Sequence, residues 1–177
     1  MAIDEFLINK IKKIKVLLLD VDGVLTDGRI IYDSRGRDSK FFDVHDGMGV
    51  YLLNKSGIPA VLITAKGSRA IKPRAKDMRI DIVFEDVSPK TSVLAKILSK
   101  YKVTPEELCF VGDDLVDLCL MKKVGFPVAV ANGCLEVKKN AAYITTKEGG
   151  RGAVRELAEL ILKTQGKWEE ALKAYDI

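Results

Sequence analysis

Histidine occurs once in the 177-residue sequence and cysteine three times, and these two scarcities exclude the most chemistry. Zinc sites, Ser-His-Asp triads and Cys-His pairs all draw on those side chains. Cys109, Cys119 and Cys134 are odd in number and lack C-x-x-C spacing, so they suggest neither a disulfide framework nor a metal knuckle and read as reduced, cytoplasmic thiols. Met1 to Lys15 interrupts its apolar residues with Lys10, Lys12, Lys13 and Lys15, unlike the continuous apolar stretch of a signal peptide. No run elsewhere reaches the ~20 apolar residues of a membrane span. A basic stripe is missing as well: the net charge is only +4 and the lysines are interleaved with acids, so nucleic acid is not an expected partner. Carboxylates and lysines are what remain to carry a reaction.

The length fits one domain over residues 1–177, and 47% hydrophobic residues are enough to build a core for it. Residues 15–21, 59–64, 80–84, 108–111 and 127–131 are short, nearly continuous apolar runs, the pattern of parallel strands covered on both faces. Between them lie helical faces. Val93, Leu94, Ile97, Leu98 and Tyr101 share one, and Val154, Leu157, Ala158, Ile161 and Leu162 share another after the Gly149-Gly150 breaker. This alternation predicts an α/β fold with a doubly wound, mainly parallel Rossmann-like sheet flanked by helices. One stretch departs from it: residues 29–32 and 39–42 flank Asp33-Ser-Arg-Gly-Arg37 and read as a hairpin inserted after the first strand.

Ligands of open α/β sheets bind beyond the carboxyl ends of the strands. Here the first strand ends in Asp20-Val-Asp-Gly-Val-Leu-Thr-Asp-Gly28, the second in Thr64, and the fourth in Gly112-Asp113-Asp114 with Asp117 close behind; Lys90 opens the helix after the third. Such a set suits phosphoryl transfer, where catalysis is mostly positioning and charge stabilisation. In an extended chain Asp20 and Asp22 point the same way, so one can attack phosphorus while the other protonates the leaving oxygen. A carboxylate nucleophile gives an aspartyl phosphate that water then hydrolyses. Carboxylates beside a phosphate dianion need a cation, and Mg²⁺ suits the oxygen ligands that Asp20 and Asp113 supply. The Thr64 hydroxyl can donate to phosphoryl oxygens, and Lys90 adds a balancing point charge.

These residues, in this order, resemble the haloacid dehalogenase superfamily of phosphatases over essentially the whole chain. The resemblance implies that Asp20 is the nucleophile, Asp22 the general acid and base, and Thr64 and Lys90 phosphate ligands. It implies Mg²⁺ held by the Asp20 carboxylate, the Asp22 carbonyl and Asp113, with Asp114 and Asp117 orienting the metal water and Lys90. Members differ mainly in a cap near the site; this chain has only the hairpin there and no cap domain, so a neighbouring subunit is the expected lid.

Asp27-Gly28, the hairpin, Phe42-Asp-Val-His-Asp-Gly-Met-Gly49 and Gly149-Gly-Arg-Gly-Ala-Val-Arg-Glu156 are similar to a narrower family, the 3-deoxy-D-manno-octulosonate 8-phosphate phosphatases of lipopolysaccharide precursor synthesis. That resemblance implies a homotetramer joined by its hairpins. It implies that Asp43, Val44, His45, Asp46 and Gly47 line the sugar acid, with Asp46 and Gly47 opening a helix whose amides favour anions, although a simple N-cap aspartate reads equally well. Arg74 matches a basic position that would bind a carboxylate or phosphate, and also reads as a solvated helix charge. After Thr64 the family usually shows Gly-Arg, whereas this chain has Ala65-Lys66. Lys66 keeps the basic sign but loses the bidentate fork. Phosphatases of nine-carbon sugar acid 9-phosphates, which tend to carry an acid there, are the alternative. A non-catalytic oligomerisation module is another, but no motif residue is lost. A two-component receiver domain places its acidic pair before the phosphorylated aspartate, the reverse of the order here. The tail from Gly149 to Ile177 reads either as a mobile segment or as a plain helix connection.

Overall fold

The computed structural model describes residues 4–175. In chain order its elements are α1 (Glu5–Lys12), β1 (Val16–Leu19), β2 (Ile31–Tyr32), β3 (Asp38–Ser39), α2 (Val44–Lys55), β4 (Ala60–Ile63), α3 (Ile71–Asp77), β5 (Ile82–Phe84), α4 (Leu94–Tyr101), β6 (Leu108–Gly112), α5 (Leu118–Met121), β7 (Phe126–Ala129), α6 (Leu135–Asn140), β8 (Tyr143–Ile144), α7 (Ala153–Thr164) and α8 (Trp168–Leu172). Six strands form one sheet in the order β5-β4-β1-β6-β7-β8, and every neighbouring pair in it is parallel. The doubly wound fold expected from the alternation is therefore present. No cap domain occurs among the described residues. Residues 1–3 and 176–177 of the single-domain span lie outside the described residues, as do the first residues of the 1–15 stretch and the end of the tail.

The apolar runs are continuous because the sheet is covered twice. Leu17 and Leu19 of β1 face one core with Ile11, Leu53, Ile71, Leu157 and Ile161, contributed by α1, α2, α3 and α7. Val16 and Leu18 face the other, with Ile97, Leu120 and Val137 from α4, α5 and α6. Burial of each such aliphatic side chain stabilises the fold by about 1.5–3 kcal/mol. No polar face is left on β1, so the sequence shows no alternation there. The five residues expected on the buried face of α7 are all buried.

Two local expectations shift. The segment opening with Lys90 is a 3₁₀ turn over Lys90–Val93 before α4 begins. The hairpin ladder pairs Ile31 with Ser39 and Tyr32 with Asp38, so its second strand is Asp38–Ser39 and residues 40–42 leave the ladder. Asp33 causes this: its carboxylate accepts from the amides of Arg35 and Arg37 and pairs with the Arg37 guanidinium, which closes the turn one residue early. The strand β8 is two residues long, too short to leave a periodic signal.

Candidate active site

The parallel sheet brings the carboxyl ends of β1, β4 and β6 side by side, and the expected side chains stand there. Asp20 follows β1, Thr64 follows β4, and Asp113 follows β6. At the centre is Lys90, whose buried Nζ lies 2.7 Å from Asp20 Oδ1 and 2.6 Å from Asp117 Oδ1. The other Asp117 oxygen accepts from the amides of Asp113 at 2.8 Å and Asp114 at 3.3 Å. Both oxygens of Asp117 are thus committed, one fixing the lysine and the other the loop that carries Asp113. Asp114 does not share this work. Its exposed carboxylate caps the turn by accepting from the Leu115 amide at 2.8 Å, so of these two aspartates it is Asp117 that holds Lys90.

The electrostatics follow from this crowding. Burial, reinforced by the Asp117 charge, raises the Asp20 carboxyl to about 6 against the opposing pull of Lys90. Burial also raises Asp113, to about 8, with Asp117, Asp20 and Asp114 adding like charge. For Lys90 burial acts to lower the pKa, but the Asp20 and Asp117 carboxylates outweigh it and hold the ammonium above the ordinary lysine range. One lysine among Asp20, Asp113 and Asp117, whose oxygens lie within 4.8 Å of one another, leaves negative charge uncompensated. That donor set fits a hard divalent cation. Asp20 and Asp113 retain oxygens for it, whereas Asp117 does not. The cysteines do not compete: Cys109 is sealed inside β6, where burial pushes its thiol up.

Asp22 corrects the extended-chain argument. The strand ends at Leu19 and residues 22–25 form a turn, so Asp22 does not owe its direction to strand register. Its carboxylate instead accepts from Lys40 Nζ at 2.5 Å. The turn is shaped by Thr26, whose buried hydroxyl accepts from the amides of Gly23 and Gly28. Gly23 has a φ of +86°, and a Cβ there would meet Asp113 Oδ2 at 2.0 Å, so this position needs glycine twice over. Two further glycines press on the same loop. A Cβ on Gly149 would meet the Gly23 carbonyl oxygen at 1.7 Å, and the Gly150 amide donates to the Val24 carbonyl at 2.8 Å. The Gly149-Gly150 pair read from the sequence as a breaker is therefore a tight packing surface for the chain's own loop after β1. The sequence marks neither Lys40 nor these glycines as site residues, and only the chemical type of Lys40 hints at a role.

The residues expected to line the substrate divide. Val44 and His45 are exposed, and Asp43 caps α2 by accepting from the His45 amide. Asp46 is a correction: it is fully buried, and its carboxylate accepts from the Gly152 amide at 3.3 Å and the Arg155 amide at 2.8 Å. It caps α7, because the residue at that helix's own N-cap is Gly152, which has no side chain to do so. Burial raises the Asp46 carboxyl to about 6 despite those amides. Gly47 is buried too, since a Cβ would meet the Arg74 guanidinium at 2.3 Å. Arg74 is committed as well: it donates to the Asp43 carbonyl at 2.7 Å and stacks on Phe42, so it holds the start of α2 rather than standing free as a solvated charge. Lys66 reaches across to the hairpin and donates to the Tyr32 hydroxyl at 2.7 Å. The Thr64 hydroxyl donates to the Lys66 carbonyl at 3.1 Å.

Comparison with known proteins agrees with this geometry. A family model for haloacid dehalogenase-like hydrolases matches residues 53–157. The chain is 40% identical over 164 residues to the 3-deoxy-D-manno-octulosonate 8-phosphate phosphatase KdsC of Escherichia coli (strain K12), covering 93% of this chain and 87% of that one. Among solved structures, the phosphatase of that name from Moraxella catarrhalis, in complex with a magnesium ion, a phosphate ion and a KDO molecule, superposes with a TM-score of 0.91. It is 39% identical, with 95% of this chain and 97% of that chain covered. The corresponding Yersinia pestis structure gives a TM-score of 0.92 at 36% identity, covering 94% and 90%. The chain belongs to the haloacid dehalogenase-like hydrolases and is an enzyme that hydrolyses phosphate monoesters.

Proposed function

We propose that the chain hydrolyses 3-deoxy-D-manno-octulosonate 8-phosphate to the free sugar acid and phosphate through an aspartyl phosphate on Asp20. The observation that carries this reading is the pairing of Asp20 with Lys90 and Asp117 beside Asp113, at the one sheet edge where phosphoryl transfer can be organised. Lys90 holds an Asp20 oxygen in place, so the carboxylate meets phosphorus already oriented. Attack by Asp20 expels the sugar's C8 oxygen, to which Asp22 gives a proton. Asp22 then takes a proton from the water that cleaves the acyl phosphate. The Thr64 hydroxyl and the Lys90 ammonium serve the phosphoryl oxygens. Asp20, Asp113 and the Asp22 carbonyl would hold Mg²⁺, which when bound screens the carboxylates from the phosphate dianion and stabilises charge on the transferring group.

The eight-carbon substrate is supported by the names of the relatives and by Lys66, which places a cation where the hairpin meets the body. A homotetramer belongs to the same reading. Ile30, Ile31, Tyr32, Phe41 and Val44 are exposed on and beside the hairpin, an apolar surface suited to association that would close an uncapped site. The three free thiols support a cytoplasmic location, and no helix among the described residues is long and apolar enough to cross a membrane.

The test is phosphate release from eight- and nine-carbon sugar acid phosphates with Mg²⁺. The eight-carbon ester is expected to have the highest kcat/KM, and Asp20→Asn is expected to lower turnover by at least about 10⁴-fold. Unchanged turnover in that variant removes the mechanism. Efficient hydrolysis of unrelated esters alone removes the substrate but leaves the enzyme class. Light scattering at working concentration checks assembly, and a monomeric mass defeats it.

A further inference from the structure

The catalytic carboxylates differ in who holds them. Asp20 is held by Lys90 from the sheet edge, whereas Asp22 is held by Lys40, which lies just past the hairpin strand β3. The Lys40 side chain is only 4% exposed; its Nζ lies 2.5 Å from Asp22 Oδ1 and 3.6 Å from Asp38 Oδ2. That Asp38 oxygen is buried without a hydrogen-bond partner, so the ammonium hydrogen-bonds to Asp22 and pairs with Asp38 only at the longer distance. Withdrawing a lysine from water costs several kcal/mol, and an apolar side chain of similar size commonly stabilises a fold as well as a buried ion pair does. Stability is thus a weak reason for a lysine here, and a partner in the reaction is a stronger one.

We propose that Lys40 is a positioning residue for Asp22, fixing the general acid and base from the hairpin side of the site. This rests on the role given to Asp22 above. In the first half-reaction a bond forms between an Asp20 oxygen and phosphorus while the bond from phosphorus to the C8 oxygen breaks. The bonding pair goes to that oxygen, and the Asp22 carboxyl supplies its proton and becomes a carboxylate. In the second half, water oxygen bonds to phosphorus, its proton passes to Asp22, and the acyl phosphate bond breaks with its pair returning to Asp20. Both proton transfers thus use one carboxylate, whose rotamer the Lys40 ammonium holds through Oδ1. Since Lys40 follows the hairpin directly, displacement of that arm would move the acid without touching the nucleophile.

A leaving-group comparison separates this role from a merely structural one. A sugar alkoxide needs the proton as it departs; 4-nitrophenolate does not. Single-turnover phosphoryl transfer is measured with 3-deoxy-D-manno-octulosonate 8-phosphate and, as a burst of nitrophenolate, with 4-nitrophenyl phosphate. Lys40→Met is expected to slow the sugar ester by roughly 10- to 100-fold and the nitrophenyl ester by less than about 3-fold, with KM little changed. Lys40→Arg, which keeps the charge and guards against misfolding of the first variant, is expected to recover most of the loss. Equal losses on the two esters, no loss on either, or an Arg variant as slow as the Met variant would overturn the proposal. Asp22→Asn is the control: it must show the same selectivity for leaving group. If it does not, the acid role of Asp22 fails and the inference falls with it; if it does while Lys40→Met does not, only the inference fails.

Discussion

Two lysine–carboxylate pairs, one at the sheet edge and one beside the hairpin, show how differently a single active site can be built. Lys90 is buried among Asp20 and Asp117; Asp20 follows the central strand β1, Asp117 lies beyond its neighbour β6, and Lys90 opens the turn after the edge strand β5. Lys40 is equally hidden, but its partner Asp22 keeps 28% of its side chain exposed, and the pair bridges a turn to an arm whose strands are two residues long. The first pair is welded to the core of the fold. The second joins the turn after β1 to a hairpin whose strands pair only with each other.

The sharpest way to break this contrast is to remove each lysine in turn. Lys90→Met strands Asp20 and Asp117 in a dry site, so it is expected to lower unfolding free energy by about 3–5 kcal/mol in urea denaturation. Lys40→Met leaves Asp22 able to hydrate but takes the ammonium from the buried Asp38 oxygen, and is expected to cost about 1–3 kcal/mol. Equal losses would mean that the two regions are energetically alike.

Proton linkage gives the next largest effect and is centred on the sheet edge, with buried Asp46 contributing in the same direction. Asp20 is raised to about 6 and Asp113 to about 8, from an ordinary 3.8. The folded state therefore binds protons more tightly than the unfolded chain, and the stability contributed by these groups, complete below pH 4, is lost as pH rises toward 8. A divalent cation needs the carboxylates ionised, so its affinity should rise over the same interval. Thermal melts with EDTA and with Mg²⁺ are expected to diverge more at pH 8 than at pH 5.5. A cation effect that shrinks with rising pH would contradict the assignment of Asp20 and Asp113.

The smallest effect concerns the helix that follows the hairpin. Asp46→Ala removes the cap on α7 and should lower stability by about 1–2 kcal/mol while leaving KM for the sugar ester nearly unchanged. A large rise in KM with unaltered stability would restore Asp46 to the substrate.

The difference between the two regions also explains what could be read in advance. Asp20, Thr64 and Asp113 were legible because each follows a buried strand whose apolar run marks it, and Lys90 because it opens the helical segment after β5; strand ends converge by topology. The helical face of α7 was legible for the same local reason. Asp46 was not, since its partner amides lie at Gly152 and Arg155, far along the chain, and an aspartate ahead of a helix reads first as a local cap. Lys40 was one basic residue among 29. Its meaning depends on where the hairpin folds back, and Asp33 shifted that register by closing the turn early. Side chains that act through neighbours close in sequence leave a pattern; those that act across the fold leave only a composition.

Gly149 and Gly150 press their bare backbone against Gly23, Val24 and Thr26. The first catalytic loop is thus cast against a mould made more than a hundred residues later. A ribosome that has delivered Asp20, Asp22, Thr64, Lys90 and Asp113 has supplied the reagents of the site without its shape. Such a chain, stopped before Gly149, would carry every reactive side chain and still lack the surface that sets their geometry.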